Sequence, residues 1–291
     1  MKKKRIVESE DENSDINNES KSYKKRKFEK FDDSYNDEDL NIIFNNKRQF
    51  TGVMKKYWIQ RHNIFSKYDD GIILTKELWF SVTPERISKF VAKYLNDLML
   101  KYVNNEEYIS NGFTILDGFC GGGGNIVQFL DINKNNKVYA IDINDTHLDC
   151  TKINASVYCG DVKDRLFLLP LDWTHIKTSS LEKEKIDIKP PNATLEESLN
   201  SIKILKNIKF DCIFGSPPWG GPEYIKNEKF DLNNLLPFSL EEMLMIMRKY
   251  SNNNNNNSII SLFLPKNSDL DQIRDTTTRV YSDCHHVHVH I

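Results

Sequence analysis

The chain has 291 residues, 39% of them hydrophobic, with 40 Lys plus Arg against 42 Asp plus Glu. That length accommodates one domain of about 200 residues with appendages, and the near balance of charge excludes a global basic field for long nucleic acid, so any RNA contact must be local. Five cysteines without a CxxC pair exclude a structural zinc site and point to a reducing compartment; no run reaches the ~20 apolar residues of a membrane span, so a soluble, intracellular protein with no membrane partner is expected.

Residues 1–48 mix Lys, Glu, Asp, Asn and Ser with few apolar side chains, a composition that predicts disorder. Two basic clusters within it, Lys2-Lys3-Lys4-Arg5 and Lys24-Lys25-Arg26-Lys27, read as a nuclear import signal, as an electrostatic contact to RNA, or as a solvated tail. Residues 49–110 form a helical extension rich in aromatic side chains from Tyr57 and Trp58 to Trp79 and Phe80. Thr83-Pro84-Glu85 predicts a helix start with Thr83 as N-cap, and Ile87, Phe90, Val91, Tyr94, Leu95 and Leu98 follow at helical spacing as a core face.

From 111 to 291 strands and helices alternate. Phe113–Asp117, Lys137–Asp142, Arg165–Leu171, Phe210–Phe214 and Ser258–Leu264 read as buried strands; Asn125–Leu130, Asp145–Tyr158 and Ser239–Tyr250 read as helices. The alternation specifies an α/β domain with a doubly wound, mostly parallel sheet. Residues 178–207 read as a polar surface insertion with a helix near Leu195–Leu205, and Asn252–Asn257 as a loop expansion.

Ile115 to Asn125 is a strand running into the glycine turn Asp117-Gly118-Phe119-Cys120-Gly121-Gly122-Gly123-Gly124 at a helix start. In a doubly wound sheet this turn lies at the carboxyl edge, and Gly121 and Gly123 admit close approach by a cofactor, with Asn125 opening the helix. The pattern is not the GxGxxG of a nicotinamide or flavin site. It suits S-adenosyl-L-methionine, whose ammonium needs the acceptor Asp117 supplies. Asp142 ends the second strand, where a carboxylate meets ribose hydroxyls. For the adenine, Asp161 and Asp172 compete; Asp161 falls in the loop before the third strand, so Asp172 is preferred, with Trp173 as an aromatic neighbour.

Ser216-Pro217-Pro218-Trp219-Gly220-Gly221-Pro222 follows the fourth strand. Two prolines stop the strand and direct its last carbonyls outward, where they can hold an exocyclic amine beside a flat indole. These residues point to methylation of an amino nitrogen. Together with the blocks at Lys56, Leu78, Ile115, Val138 and Asn154–Arg165, the loop resembles the trimethylguanosine synthase family of RNA cap guanosine-N2 methyltransferases over roughly residues 53–270.

The resemblance implies a Rossmann-like class I methyltransferase fold with residues 49–110 acting as a lid. Its implied substrate is the 7-methylguanosine cap of small nuclear and small nucleolar RNAs, with ribonucleoprotein partners and a nuclear location, in the nucleolus or nuclear bodies among others, with some protein in the cytoplasm. By the same resemblance, Trp219 stacks on the cationic base, and Ser216 and the Pro217 carbonyl hold the N2 amine. Phe65 and Thr83 line the cofactor pocket, Asn154 faces the cap base, and Lys56 and Tyr224 meet the cap phosphates. Lys266 replaces the family's phosphate-binding arginine, keeping the charge without the bidentate fork. Family members continue past this point with two further strands, whereas Cys284-His285-His286-Val287-His288-Val289-His290 does not match them. An incomplete sheet is expected there, and the histidines alone are weak grounds for a metal site.

Overall fold

The computed structural model describes residues 42–103, 110–173, 194–220, 224, 228–252, 258–280 and 286–290. The two basic clusters, the stretch 174–193 and residues 253–257 lie outside them. Six strands, β1 (Thr114–Asp117), β2 (Lys137–Asp142), β3 (Leu166–Pro170), β4 (Cys212–Gly215), β5 (Ile259–Phe263) and β6 (His286–His290), form one sheet in the order β3-β2-β1-β4-β5-β6. Every pairing is parallel. Both faces of such a sheet are covered, which is why its strands are near-continuous apolar runs.

Helices α1 (Lys55–Ile59), α2 (Arg61–Ile64), α3 (Leu78–Ser81) and α4 (Glu85–Val103) precede the sheet, and α5 (Gly124–Ile132), α6 (Asp145–Cys159), α7 (Leu195–Asn207), α8 (Leu240–Tyr250) and α9 (Leu270–Val280) alternate with its strands. Successive strand residues serve opposite faces. Ile115, Val138, Ala140 and Phe214 join the N-terminal segment, α4, α5 and α6 in one core, whereas Leu116, Tyr139, Ile141 and Ile213 join α7 and α8 in the other. The chain runs outward from β1 to β3, then returns to β4 beside β1. That reversal opens a crevice at the carboxyl ends of β1 and β4, where open α/β sheets bind ligands.

The N-terminal segment packs through its aromatic rings. Phe50 meets Trp79 edge-on at 4.7 Å, Trp58 meets Tyr68 at 5.8 Å, and the Trp79 indole donates to the Phe44 carbonyl at 2.7 Å. Each aromatic pair adds about 0.5–1.5 kcal/mol beyond the area it buries. Glu85 locks the segment to α4 and α6: its carboxylate accepts from the Ser66 amide, the Ser66 hydroxyl at 2.9 Å and the Tyr158 hydroxyl at 2.7 Å, and pairs with Lys89.

Four expectations are corrected here. Residues ahead of 49 take part in the fold: Ile43 bridges Thr75, and Asn45 bonds to Ile72 and Leu74. The inner face of α4 is Ser88, Val91, Ala92, Leu95 and Met99, while Ile87, Phe90 and Tyr94 are exposed. Its start uses the Pro84 carbonyl, which accepts from Ser88, and the Thr83 hydroxyl is engaged elsewhere. The helix at 195–207 is no mere surface insertion, because Ile202 and Leu205 are buried in the second core. Beyond α9 one further strand, β6, pairs with β5, where the resemblance implies two.

Candidate active site at the sheet switch point

The glycine turn leaves β1 at Asp117 and enters α5 wedged between α6 and the N-terminal segment. Gly121 and Gly123 have φ of 52° and 79°, a region glycine adopts without strain. A Cβ at Gly123 would lie 3.1 Å from Cα of Thr151, and one at Gly124 only 2.6 Å from the Thr83 carbonyl oxygen. On the outer side Leu74 and Leu78 seal Gly122. The turn is therefore shaped by backbone contact on both flanks.

Polar groups converge on it. Asp117 is fully buried; its Oδ1 accepts from the Phe119 amide at 3.1 Å, while its Oδ2 has no hydrogen-bond partner. Burial, with a smaller push from Asp142 and an opposing pull from the Phe119 amide, raises its carboxyl to about 7. Asn125, also buried, donates to the Thr83 hydroxyl at 3.1 Å and leaves its Oδ1 without a partner. Asp142 accepts from the Gly121 amide and the Asn144 amide, each at 2.9 Å. Asp172 follows β3 at the same edge and is half-buried, whereas Asp161 is exposed in the loop before β3. Trp173 is buried and its indole donates to the Gly118 carbonyl, so it props the turn from below.

The proline loop stands beside this turn. The Ser216 hydroxyl lies 3.5 Å from the Phe119 carbonyl, and Pro217 is buried. The Pro218 carbonyl is engaged by the Leu236 amide at 3.2 Å. Trp219 is half-buried, edge-on to Tyr224 at 5.1 Å and tilted against Phe263 at 5.7 Å. Asn267 donates to the Tyr224 carbonyl at 2.9 Å, which brings exposed Lys266, its neighbour in the turn after β5, to the same edge.

The remaining proposed site residues part company: Thr83 and Asn154 bond at the glycine turn, whereas Phe65 lies in the core and Lys56 on the exposed side of α1. Phe65 is 1% exposed and offers no surface to a ligand; it is a core ring 6.1 Å from that of Tyr158. Asn154 faces no open space: its Oδ1 accepts from the Ile73 amide and its Nδ2 donates to the carbonyls of Ile73 and Gly122, so it fastens the segment to the turn. Thr83 is buried and holds Asn125. Lys56 is exposed on α1, its ammonium 4.8 Å from the centre of the Tyr57 ring. Sequence reasoning passed over His147, buried between Asp142 and Thr75, and Glu85; each is one polar residue in a helical first turn, with nothing in its neighbours to single it out. Among the described residues no group of His, Cys, Asp and Glu could hold a metal.

A family model described as RNA cap guanine-N2 methyltransferase matches residues 113–291, from the start of β1 to the last residue. The chain belongs to that family. A trimethylguanosine synthase of Saccharomyces cerevisiae is 38% identical over 231 residues, covering 79% of this chain and 60% of that protein. A trimethylguanosine synthase of Schizosaccharomyces pombe is 28% identical over 221 residues, covering 76% of this chain and 74% of that one. The chain thus spans less than two thirds of the length of the first relative. Within this cap guanine-N2 methyltransferase family member, the match takes in the glycine turn, Asp142, Asp172 and the proline loop, and leaves the N-terminal segment outside.

Proposed function

We propose that this protein transfers a methyl group from S-adenosyl-L-methionine to the exocyclic N2 of a guanosine cap already methylated at N7, leading to 2,2,7-trimethylguanosine. The observation that carries the reading is the Ser216 to Phe119 contact, which sets the amine-holding loop against the glycine turn in the switch-point crevice. The donor set fits the cofactor. Asp117 Oδ2 and Asn125 Oδ1 are buried acceptors without partners, as an ammonium group requires, and the carboxylate of Asp142 has lone pairs left for ribose hydroxyls. Asp172 would meet the adenine. S-adenosyl-L-methionine, when bound, supplies a methyl group on a sulfonium sulfur.

The chain's own residues align the acceptor. Ser216 and the Pro217 carbonyl are suited to hold the two N2 protons, directing the nitrogen lone pair away from the loop and toward the turn. Trp219 and Tyr224 supply an electron-rich wall, and an N7-methylated guanine is a cation; a desolvated cation on an indole face gains roughly 1–2 kcal/mol, up to about thirtyfold in affinity. Lys266 is the exposed cation at the crevice edge for the cap phosphates, and Lys56 is the second that the family resemblance implies. The work of these groups is alignment and exclusion of water, with no covalent enzyme intermediate.

Mass spectrometry of cap dinucleotides incubated with the protein and cofactor tests the reading. Turnover of the N7-methylated dinucleotide alone is the expected result; equal turnover of the unmethylated one would transfer the protein to a general amino methyltransferase. Small nuclear and small nucleolar RNAs are the proposed substrates, with their ribonucleoprotein particles as partners. The basic clusters at Lys2–Arg5 and Lys24–Lys27 motivate a nuclear site, which imaging of a tagged chain lacking either cluster would test.

A further inference from the structure

His147 sits in the first turn of α6, 6% exposed. Its Nδ1 is 3.5 Å from Asp142 Oδ1. Its Nε2 is 3.2 Å from the Thr75 hydroxyl and 4.0 Å from Glu77 Oε2. One imidazole thus touches two things at once: the carboxylate that shapes the glycine turn, and the N-terminal segment that covers it.

The contacts continue on both sides. Asp142 passes its other oxygen to the Gly121 amide. Thr75, fully buried, accepts from the Leu78 amide at 3.4 Å, and the Leu78 side chain would stand 3.2 Å from a Cβ on Gly122. A ring of contacts runs from Asp142 through His147, Thr75 and Leu78 and returns to the turn at Gly122. Van der Waals contact closes the ring at Leu78, so its polar junction is the histidine.

We propose that His147 is a positioning residue that fastens the cover of the cofactor pocket to the ribose-binding carboxylate of Asp142. This rests on the reading of Asp142 given above. His147 touches no reacting atom; it acts through Asp142 and Thr75.

Two acidic groups act on it, Asp142 from β2 and Glu77 from the segment, where Lys76 lies between Thr75 and Glu77 in the chain. Burial opposes the imidazolium, and so does the positive end of α6. The hydrogen bond and charge of Asp142, with the charge of Glu77, outweigh that burial, and the His147 pKa lies above the ordinary histidine value. The cationic form donates from both nitrogens, to Asp142 and to Thr75; the neutral form donates to Asp142 and accepts from the Thr75 hydroxyl, so what it loses is the charge facing Asp142 and Glu77.

The full chain is compared as wild type, His147→Ala and His147→Gln. Hydrogen exchange of residues 72–81 is measured without cofactor, and S-adenosyl-L-methionine binding by calorimetry is followed from acid to alkaline pH. His147→Ala should speed exchange and weaken cofactor binding by about tenfold each, raising the cofactor KM with kcat little changed. His147→Gln keeps two polar contacts, so it should bind within about threefold of wild type but lose the part of the pH dependence that the imidazole supplies, keeping that of Asp117. Taken as a ratio to His147→Gln at each pH, which cancels the Asp117 titration common to both, wild-type affinity should fall as pH rises through the histidine titration. Wild-type exchange and affinity in His147→Ala, or parallel pH profiles in wild type and His147→Gln, overturn the proposal. If His147→Ala does not fold, the glutamine variant decides. A wild-type chain that binds no cofactor overturns the proposal together with the ribose reading of Asp142; one that binds it but leaves the cap unmodified sinks the cap reading alone, and the exchange data still judge the fastening by itself.

Discussion

The ring of Trp219 meets that of Tyr224 edge-on, 5.1 Å between centroids and 84° between planes. The pair leaves an indole at the crevice edge whose orientation is set by Tyr224 on one side and Phe263 on the other. Replacing Trp219 by Ala removes the face that a cationic base would cover. Cap affinity should fall by about ten- to thirtyfold, while S-adenosyl-L-methionine binding stays near wild type because the glycine turn is untouched. Trp219→Phe should lie between. Fluorescence titration with N7-methylated and unmethylated cap analogues checks this; an Ala variant that still separates the two analogues contradicts the stacking role.

Backbone crowding at the glycine turn gives a second expectation. Gly124→Ala drives a methyl against the Thr83 carbonyl, 2.6 Å from the new carbon, and must displace the segment that Asn125 bonds. Overpacking of this kind destabilises by about 1–3 kcal/mol, and here cofactor binding should be lost with it. Gly160→Ala is the control: φ is 70° but nothing lies within 4 Å of the added carbon. It should lower the melting temperature through backbone strain of about 1–3 kcal/mol, because φ 70° with ψ −137° lies outside the regions open to alanine, and leave binding intact. Calorimetry on both variants separates the two effects.

The parallel sheet was legible because its strands are short apolar runs between helical periods, and β2 emerged with the bounds read from sequence. The glycine turn and proline loop were legible for the same local reason: each depends on residues adjacent in the chain. Asn154 was misread because the groups that satisfy it, the backbone of Ile73, are distant in sequence and give no local signal. The face of α4 was misjudged because size and burial part company there: Ser88 and Ala92 go inside while Phe90, 64% exposed, does not. The His-Val alternation at 286–290 has the two-residue period of a strand, a signal that polar histidines in place of apolar side chains obscure.

Glu85 supplies a stability prediction. Burial works against its ionisation, but the hydrogen bonds from Lys89, Ser66 and Tyr158 prevail and hold the carboxyl down at about 2. A depressed carboxyl stabilises the fold above its unfolded value, near 4.5, and that contribution is lost as pH falls toward about 2. Wild type should therefore melt above Glu85→Gln at neutral pH, with the gap closing across that acid window. Melting curves against pH for both proteins would reveal a constant gap if the clasp is merely steric.

Asp117 shifts in the opposite sense, and this places stability and binding in conflict at one side chain. Its carboxyl is raised from 3.8 to about 7, so the folded protein holds a proton that the unfolded chain releases. Stability from this group is complete at acid pH and declines as pH climbs from about 4 to about 7. Asp117→Asn removes the buried charge while keeping an oxygen for the Phe119 amide. At pH 8 the variant should melt above wild type, and at pH 4 the difference should shrink. An amide cannot answer an ammonium as a carboxylate does, so the same variant should bind S-adenosyl-L-methionine about tenfold or more weakly. Higher stability with weaker binding is the signature of a group retained for its ligand. A variant both less stable and still tightly binding would assign Asp117 to the fold instead.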